Sequence, residues 1–279
     1  MFDTHCHLQF NAYKDDHDDV LKRCVEKEMI LNVVGSQKDT SRRAVEYAEK
    51  YDNIFATVGL HPIHLFKSHV DESEAKFDSR AEDFDYEFYK KLAQNKKVIA
   101  IGECGLDFFH QPEGASQDEV FKKQKEVFLK QHELAVELNL PLVIHVRNAH
   151  DEMIELLVGL HKKINGTVHC YTSNWARAQQ YLDLGLHLGF TGVITFPPKK
   201  TNSQSQLDML EVVAKCPTDR MLVETDAPYL APQAYRGQRC EPWMVEEVAK
   251  KIAEIKKLSF AEVVETTAKN AEALFLKMP

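Results

Sequence analysis

The chain is poor in the residues that interrupt regular structure. Its 279 residues include 11 glycines and 10 prolines, too few for a collagen-like or low-complexity segment. No G-x-G-x-x-G turn and no G-x-x-x-x-G-K-[ST] loop occurs, which removes two common nucleotide-binding signatures. The six cysteines (Cys6, Cys24, Cys104, Cys170, Cys216 and Cys240) include no C-x-x-C pair. A structural zinc motif is therefore absent, and a disulfide framework belongs to much shorter secreted chains. They read as reduced thiols of a cytoplasmic protein. Positive charge is also in deficit: 35 Lys and Arg face 43 Asp and Glu, a net charge of −8. Binding to nucleic acid through bulk positive charge is excluded, so an anionic substrate must be handled locally, by metals or a few Lys and Arg. The longest uncharged stretch, Leu184 to Pro198, contains Gly, Thr and Pro and is too short to span a bilayer as a helix. Asp3 and two histidines stand where a signal peptide has basic residues and then an apolar run. These features predict no membrane insertion and no secretion, and no obligate protein partner is evident in the sequence.

With 44% hydrophobic and 28% charged residues, the composition is that of an ordinary globular protein. Short β-branched or apolar runs alternate with longer amphipathic stretches. The runs predict strands over Met1–His7, Met29–Gly35, Ile54–His61, Val98–Glu103, Leu140–Val146, Thr167–Cys170, His187–Thr195 and Met221–Thr225. Between them, helices are predicted over Asp18–Glu28, Ser41–Tyr51, Ala81–Ala93, Gln117–Leu138, His150–Lys163, Asn174–Leu184, Ser203–Lys215 and Pro242–Lys257, with a last one over Ser259–Leu276. In Gln117–Leu138 the apolar residues Val120, Phe121, Val127, Phe128, Leu134, Ala135 and Leu138 keep near-helical spacing, and Pro141 stops the pattern. Val98–Ile101 is apolar on both faces, which suits a parallel strand covered on both sides. Eight strand–helix pairs predict a (β/α)8 barrel, a TIM barrel, rather than an open doubly wound sheet. No repeat or linker divides the chain, so residues 1–279 are read as one domain. The polar, acidic Lys67–Asp85 segment is read as a surface excursion.

A barrel places catalytic groups where strands end. His5 and His7 sit at i and i+2 of the first strand and project from one face, so both imidazoles can meet one cation. Asp3 shares that parity and is expected to orient a histidine. Glu103 follows five uncharged residues, and a carboxylate buried there needs a cation. Asp107 follows closely and is expected at the same mouth. His145 ends the fifth strand, and Arg147 beyond it offers a planar fork for a phosphate. His169 ends the sixth strand. Asp226 ends the eighth, with Glu224 below it. Taken singly, each has an ordinary alternative as a satisfied polar or turn residue. Together, four histidines and two acids at the ends of five strands point to a metal centre. Six ligands exceed what one zinc takes and suit two cations sharing a carboxylate. The ligand types admit Zn, Mn or Mg.

The segments Asp3–Leu8, Gly59-Leu60-His61-Pro62, Ile101-Gly102-Glu103-Cys104-Gly105-Leu106-Asp107-Phe108, His145-Val146-Arg147 and Glu224-Thr225-Asp226-Ala227-Pro228-Tyr229-Leu230 resemble the signatures of the TatD family of metal-dependent deoxyribonucleases, within the amidohydrolase superfamily. The resemblance runs from Met1 to the C-terminal helix. It implies a (β/α)8 barrel with two divalent metals that hydrolyses DNA phosphodiesters, typically from 3′ to 5′. By position, His5, His7 and Asp226 would hold one metal, and His145 and His169 the other, with Glu103 bridging. Asp226 would take the proton of the attacking water. His61, Arg147, Tyr171, Asp107 and Arg236 would face the substrate. In the loop Tyr235–Pro242 the family usually has Asn where this chain has Cys240, a change that touches no metal ligand. Two other classes fit parts of the pattern. One is an amidohydrolase acting on a small amide or ester, though many such sites use a Lys where this chain has Glu103. The other is a non-catalytic binding barrel, which would need none of the six ligands.

Overall fold

The computed structural model describes residues 1–67, 81–160, 164–198 and 203–276. Eight strands form one parallel sheet in chain order: β1 (Phe2–Cys6), β2 (Ile30–Val34), β3 (Ile54–Val58), β4 (Val98–Asp107), β5 (Leu142–Arg147), β6 (Gly166–Val168), β7 (His187–Phe190) and β8 (Met221–Val223). A parallel bridge between Cys6 and Ala227 joins the last strand to the first. Asp226 N donates to His5 O at 2.8 Å and His7 N to Ala227 O at 2.7 Å, so the ring closes where the first and last site residues lie. The helices are α1 (His17–Glu26), α2 (Lys38–Lys50), α3 (Tyr86–Ala93), α4 (Gln117–Leu138), α5 (His150–Val158), α6 (Trp175–Asp183), α7 (Gln204–Lys215), α8 (Val245–Lys256) and α9 (Phe260–Phe275). This is the TIM barrel expected from the alternation.

The helix α4 shows how local sequence sets an element. Ser116 Oγ accepts from Glu119 N at 3.3 Å, and the Glu119 carboxylate accepts from Ser116 N at 2.8 Å. Such a capping box contributes about 1 kcal/mol. Asn139, at φ 54°, ends the helix in the left-handed region that Asn tolerates. Val120, Val127, Phe128, Leu134 and Ala135 bury one stripe against the barrel wall. Two glutamines in that stripe reach strand ends. Gln124 bonds both the N–H and the C=O of Asp107 at 2.9 Å. Gln131 does the same for Leu60, also at 2.9 Å. The helix thus clamps the loops after β3 and β4.

At the opposite end, Phe2, Ala100, Val143 and Leu222 from four strands pack with Ala271, Leu274 and Phe275 of α9. Those residues fill the end of the barrel away from the strand termini.

Several boundaries differ from expectation. The strand predicted over His187–Thr195 ends at Phe190, and Gly192–Thr195 is a 3-10 turn. The helix predicted from Ala81 begins at Tyr86, where Asp85 accepts from Phe88 N at 3.1 Å and caps it. The fourth strand continues past Glu103 to Asp107, because Cys104 to Asp107 pair with Ile144 to Arg147. Residues 68–80 of the acidic excursion, and the end of the helix predicted to reach Lys163, lie outside the described residues.

Candidate metal centre

Two local irregularities aim the central side chains. β1 carries one extra residue between Asp3 and Cys6 relative to β2, and β4 carries one between Ile101 and Cys104 relative to β5. Bulges of this kind re-aim side chains next to active sites. They leave His5 completely buried and Glu103 4% exposed, deep in the mouth of the barrel.

Glu103 is the hub. Its Oε1 lies 2.9 Å from His145 Nδ1, 3.2 Å from His169 Nε2 and 3.3 Å from His61 Nε2. Its Oε2 faces the other way, 3.4 Å from His5 Nε2 and 4.0 Å from His7 Nε2. Asp226 Oδ1 completes that side, 3.3 Å from His7 Nε2 and 3.7 Å from His5 Nε2. The structure therefore brings His5, His7, Glu103, His145, His169 and Asp226 into one pocket.

The outer bonds of each imidazole decide which nitrogen is free. His7 Nδ1 lies 2.7 Å from Val34 O, which only accepts, so Nδ1 carries the proton and Nε2 keeps its lone pair. His169 Nδ1 lies 3.1 Å from Glu224 Oε1, which also takes the Cys170 N–H, again leaving Nε2 free. His145 Nε2 lies 3.2 Å from Asp107 Oδ2, freeing Nδ1 toward Glu103. His61 is the reverse. Its Nδ1 accepts from Ile63 N at 3.2 Å, so its Nε2 carries the proton and points a donor at Glu103. Although His61, Glu103 and His145 lie close enough to share an ion, the tautomer makes His61 a hydrogen-bond donor rather than a ligand.

The donor set fits divalent cations. His5 Nε2 and His7 Nε2 face each other at 3.3 Å. Two lone pairs at that distance repel unless a proton or a cation lies between them. Ligands about 2.1 Å from a tetrahedral ion stand roughly 3.4 Å apart, close to the observed spacings. His5, His7 and Glu103 lie close enough together to hold an ion, and so do His5, His169 and Asp226. A buried carboxylate among imidazoles, with His145, His169 and His7 held from behind by Asp107, Glu224 and Val34 O, is the arrangement of metal sites generally.

Electrostatics agrees. Burial alone would push Glu103 up, yet His61, His169, His5 and His145 hold it well below the usual carboxylate range. Burial pushes His145 down, but Asp107 and Glu103 outweigh it and raise it above its ordinary value. His169 likewise rises against its burial, through Glu103 and Glu224. His7 rises against burial through Asp226, while burial keeps His5 low. Burial also pulls His61 down to about 4, keeping it neutral. Without cations, protons take their place around the carboxylates.

The other expected residues divide. Arg147 lines the pocket with its guanidinium over the Phe109 ring. Asp107 is fully buried, bonded through Oδ2 to His145 and to His110 Nδ1 at 2.8 Å and through Oδ1 to Phe109 N and His110 N. Its oxygens are committed to positioning, which leaves none for a substrate. Tyr171 is turned away from the pocket: its hydroxyl donates to Asn174 O at 2.7 Å and its ring packs on His150 and Tyr181. The neighbours Cys170 and Thr172 line the wall instead. Arg236 stacks on Phe196 at 4.2 Å and is not on the wall either. Asp3 does not reach an imidazole. Its carboxylate takes Thr225 N at 2.9 Å and Thr225 Oγ1 at 2.7 Å, tying β1 to the end of β8, because the bulge in β1 breaks the simple alternation. Cys240 is buried; its N–H donates to Pro228 O at 3.0 Å and its carbonyl accepts from the Tyr13 hydroxyl. Backbone bonds therefore hold that loop without an amide side chain. His110, Tyr229, Leu230 and Phe10 also line the pocket. Tyr229 and Leu230 fall within the segment Glu224–Leu230 that carries the family resemblance, whereas His110 and Phe10 carry no periodicity or spacing signal that would have singled them out.

Three comparisons align with this geometry. A family model described as TatD related DNase matches residues 2–276. The chain is 37% identical over 277 residues to an uncharacterized metal-dependent hydrolase, YabD, of Bacillus subtilis, covering 99% of this chain and 98% of that one. It is 31% identical over 287 residues to the 3′-5′ ssDNA/RNA exonuclease TatD of Cronobacter sakazakii, covering 99% and 98%. The crystal structure of the TatD homolog YJJV from Escherichia coli superposes with a TM-score of 0.82 at 27% identity, covering 100% of this chain and 98% of that one.

Proposed function

The chain belongs to the TatD-related DNase family and is a metal-dependent hydrolase, and from that premise we propose that it cleaves DNA phosphodiester bonds from the 3′ end of single strands. The observation that carries the reading is the division of Glu103: one carboxylate oxygen faces His5 and His7, the other His145 and His169. That geometry suits two divalent ions, Mg2+, Mn2+ or Zn2+, sharing one carboxylate.

Bound there, divalent cations would supply Lewis-acid stabilisation of a phosphoryl oxygen and a lowered pKa for water. The protein's own groups do the rest. Asp226 is the more solvent-accessible acid of the centre, its side chain 18% exposed against 6% for Glu103. His7, His169 and His5 hold it ionised against its burial, so it can accept the proton of the attacking water at its carboxylate. The Arg147 guanidinium is a donor for the non-bridging oxygens of the phosphate, while the His61 Nε2–H, 3.3 Å from Glu103 Oε1, steadies the central carboxylate. Asp107 and Glu224 keep His145 and His169 in the required tautomer. The cavity of about 490 Å³ holds one or two nucleotides rather than a duplex, and a net charge of −8 disfavours long polyanions away from the mouth.

A single-stranded oligonucleotide labelled at its 5′ end tests the reading, with purified protein whose metal content is measured. Stepwise shortening from the 3′ end, abolished by chelator and restored by Mg2+, Mn2+ or Zn2+, is the expected result. Hydrolysis of cyclic amides with no phosphodiester cleavage would overturn it.

A further inference from the structure

The phenylalanines Phe108 and Phe109 that follow β4 part ways. Phe108 is 8% exposed and sets its ring edge-on to Phe121 with centroids 5.9 Å apart. Phe109 is 54% exposed. Its position is nevertheless fixed: its N–H donates to Asp107 Oδ1 at 2.8 Å, and the next N–H, of His110, donates to the same oxygen at 2.9 Å. The ring is held by Arg147, whose Cζ lies 3.8 Å from the centroid. Asp107, His110 and Arg147 all line the pocket, so Phe109 stands at its rim.

Among the described residues Arg147 has no carboxylate partner within ion-pairing distance. Stacking uses one face of its guanidinium and leaves the in-plane N–H donors for a phosphate. One side of the phenyl is covered by that cation. The His110 ring stands edge-on to it with centroids 5.0 Å apart, and Phe109 still remains 54% exposed. A large aromatic left in water beside a polar metal centre, on a backbone that holds it there, is a surface for another flat ring.

We propose that Phe109 is the base-stacking platform of the site: Arg147 takes a phosphate while the nucleobase of the adjoining nucleotide lies against the Phe109 ring. This rests on the phosphodiesterase reading and adds what it lacks, a reason for preferring unpaired nucleotides. A base within a duplex has both faces occupied, whereas a single strand offers an open face of any base.

The test uses the metal-loaded full-length enzyme and two single strands of equal length, one normal and one with abasic residues at its last two 3′ positions. Wild type is expected to cleave the base-bearing strand with kcat/KM about tenfold higher. Phe109→Ala should bring that ratio close to one, through KM for the base-bearing strand. Phe109→Tyr should preserve it. Phe260→Ala, which removes an exposed ring on α9 (40% exposed), should leave it unchanged. A ratio near one in wild type, or a wild-type ratio in Phe109→Ala, overturns the platform and leaves the phosphodiesterase reading standing. No metal-dependent cleavage of either strand by wild type overturns both.

Discussion

The histidines of the mouth are chemically alike as residue types, yet their hydrogen-bond partners give them different tasks. Val34 O, Glu224 and Asp107 each fix one ring nitrogen of His7, His169 and His145 and leave the other free for a cation. Ile63 N does the opposite to His61. Asp226 is the acid at the open side of the centre. Replacing it by Asn keeps the shape and removes the proton acceptor, so Asp226→Asn is expected to lower turnover by about 10²- to 10⁴-fold. Melting temperature and metal content, measured beside the rate, separate lost chemistry from lost structure. Wild-type turnover in that variant would remove Asp226 from the mechanism.

β7 contributes space where other strands contribute ligands. Gly189 sits beside Glu224, and a Cβ placed on it would lie 2.4 Å from Glu224 Oε2. Glu224 cannot simply move aside, since Thr4 Oγ1, Cys170 N and His169 Nδ1 all hold it. Gly189→Ala is therefore expected to push the carboxylate off His169 and weaken metal binding by about 10- to 100-fold. Titration with Zn2+ would measure the loss, while far-UV circular dichroism should keep the barrel signature. Unchanged affinity would show that His169 needs no partner behind it.

The two ends of the chain are tied by charge. Arg239 forks onto Asp16, with Nη1–Oδ1 at 2.8 Å, and Arg23 forks onto Glu241, with Nε–Oε2 at 2.8 Å. Trp243 Nε1 donates to the same Glu241. The fork from Arg239 lowers the pKa of Asp16. Burial raises that of Glu241, but Arg23 and Trp243 outweigh it and bring it below the ordinary value. Protonating these acids thus costs the folded form more than the unfolded chain. Their contribution is present in full above about pH 4.3 and is lost as pH falls through the lowered values. Glu241→Gln should melt below wild type at about pH 7, with the gap closing toward about pH 3. A gap independent of pH would mean that the carboxylate acts by packing alone.

Much was legible in the chain itself. Regular alternation of apolar runs and amphipathic stretches dictates a parallel barrel, because strands apolar on both faces need helices outside and a filled interior. Charged and metal-binding residues at the ends of those runs mark the open mouth, since burying them without partners would be costly. Tertiary structure decided what no local pattern encodes. The extra residues in β1 and β4 depend on pairing with β2 and β5; they turned Asp3 toward Thr225 and put Glu103 inside a strand instead of at its end. The orientations of Tyr171 and Arg236 depend on rings contributed by distant segments, His150 and Tyr181 for one and Phe196 for the other. Residue spacing determines which side chains can meet; hydrogen bonds between strands determine which of their atoms face one another.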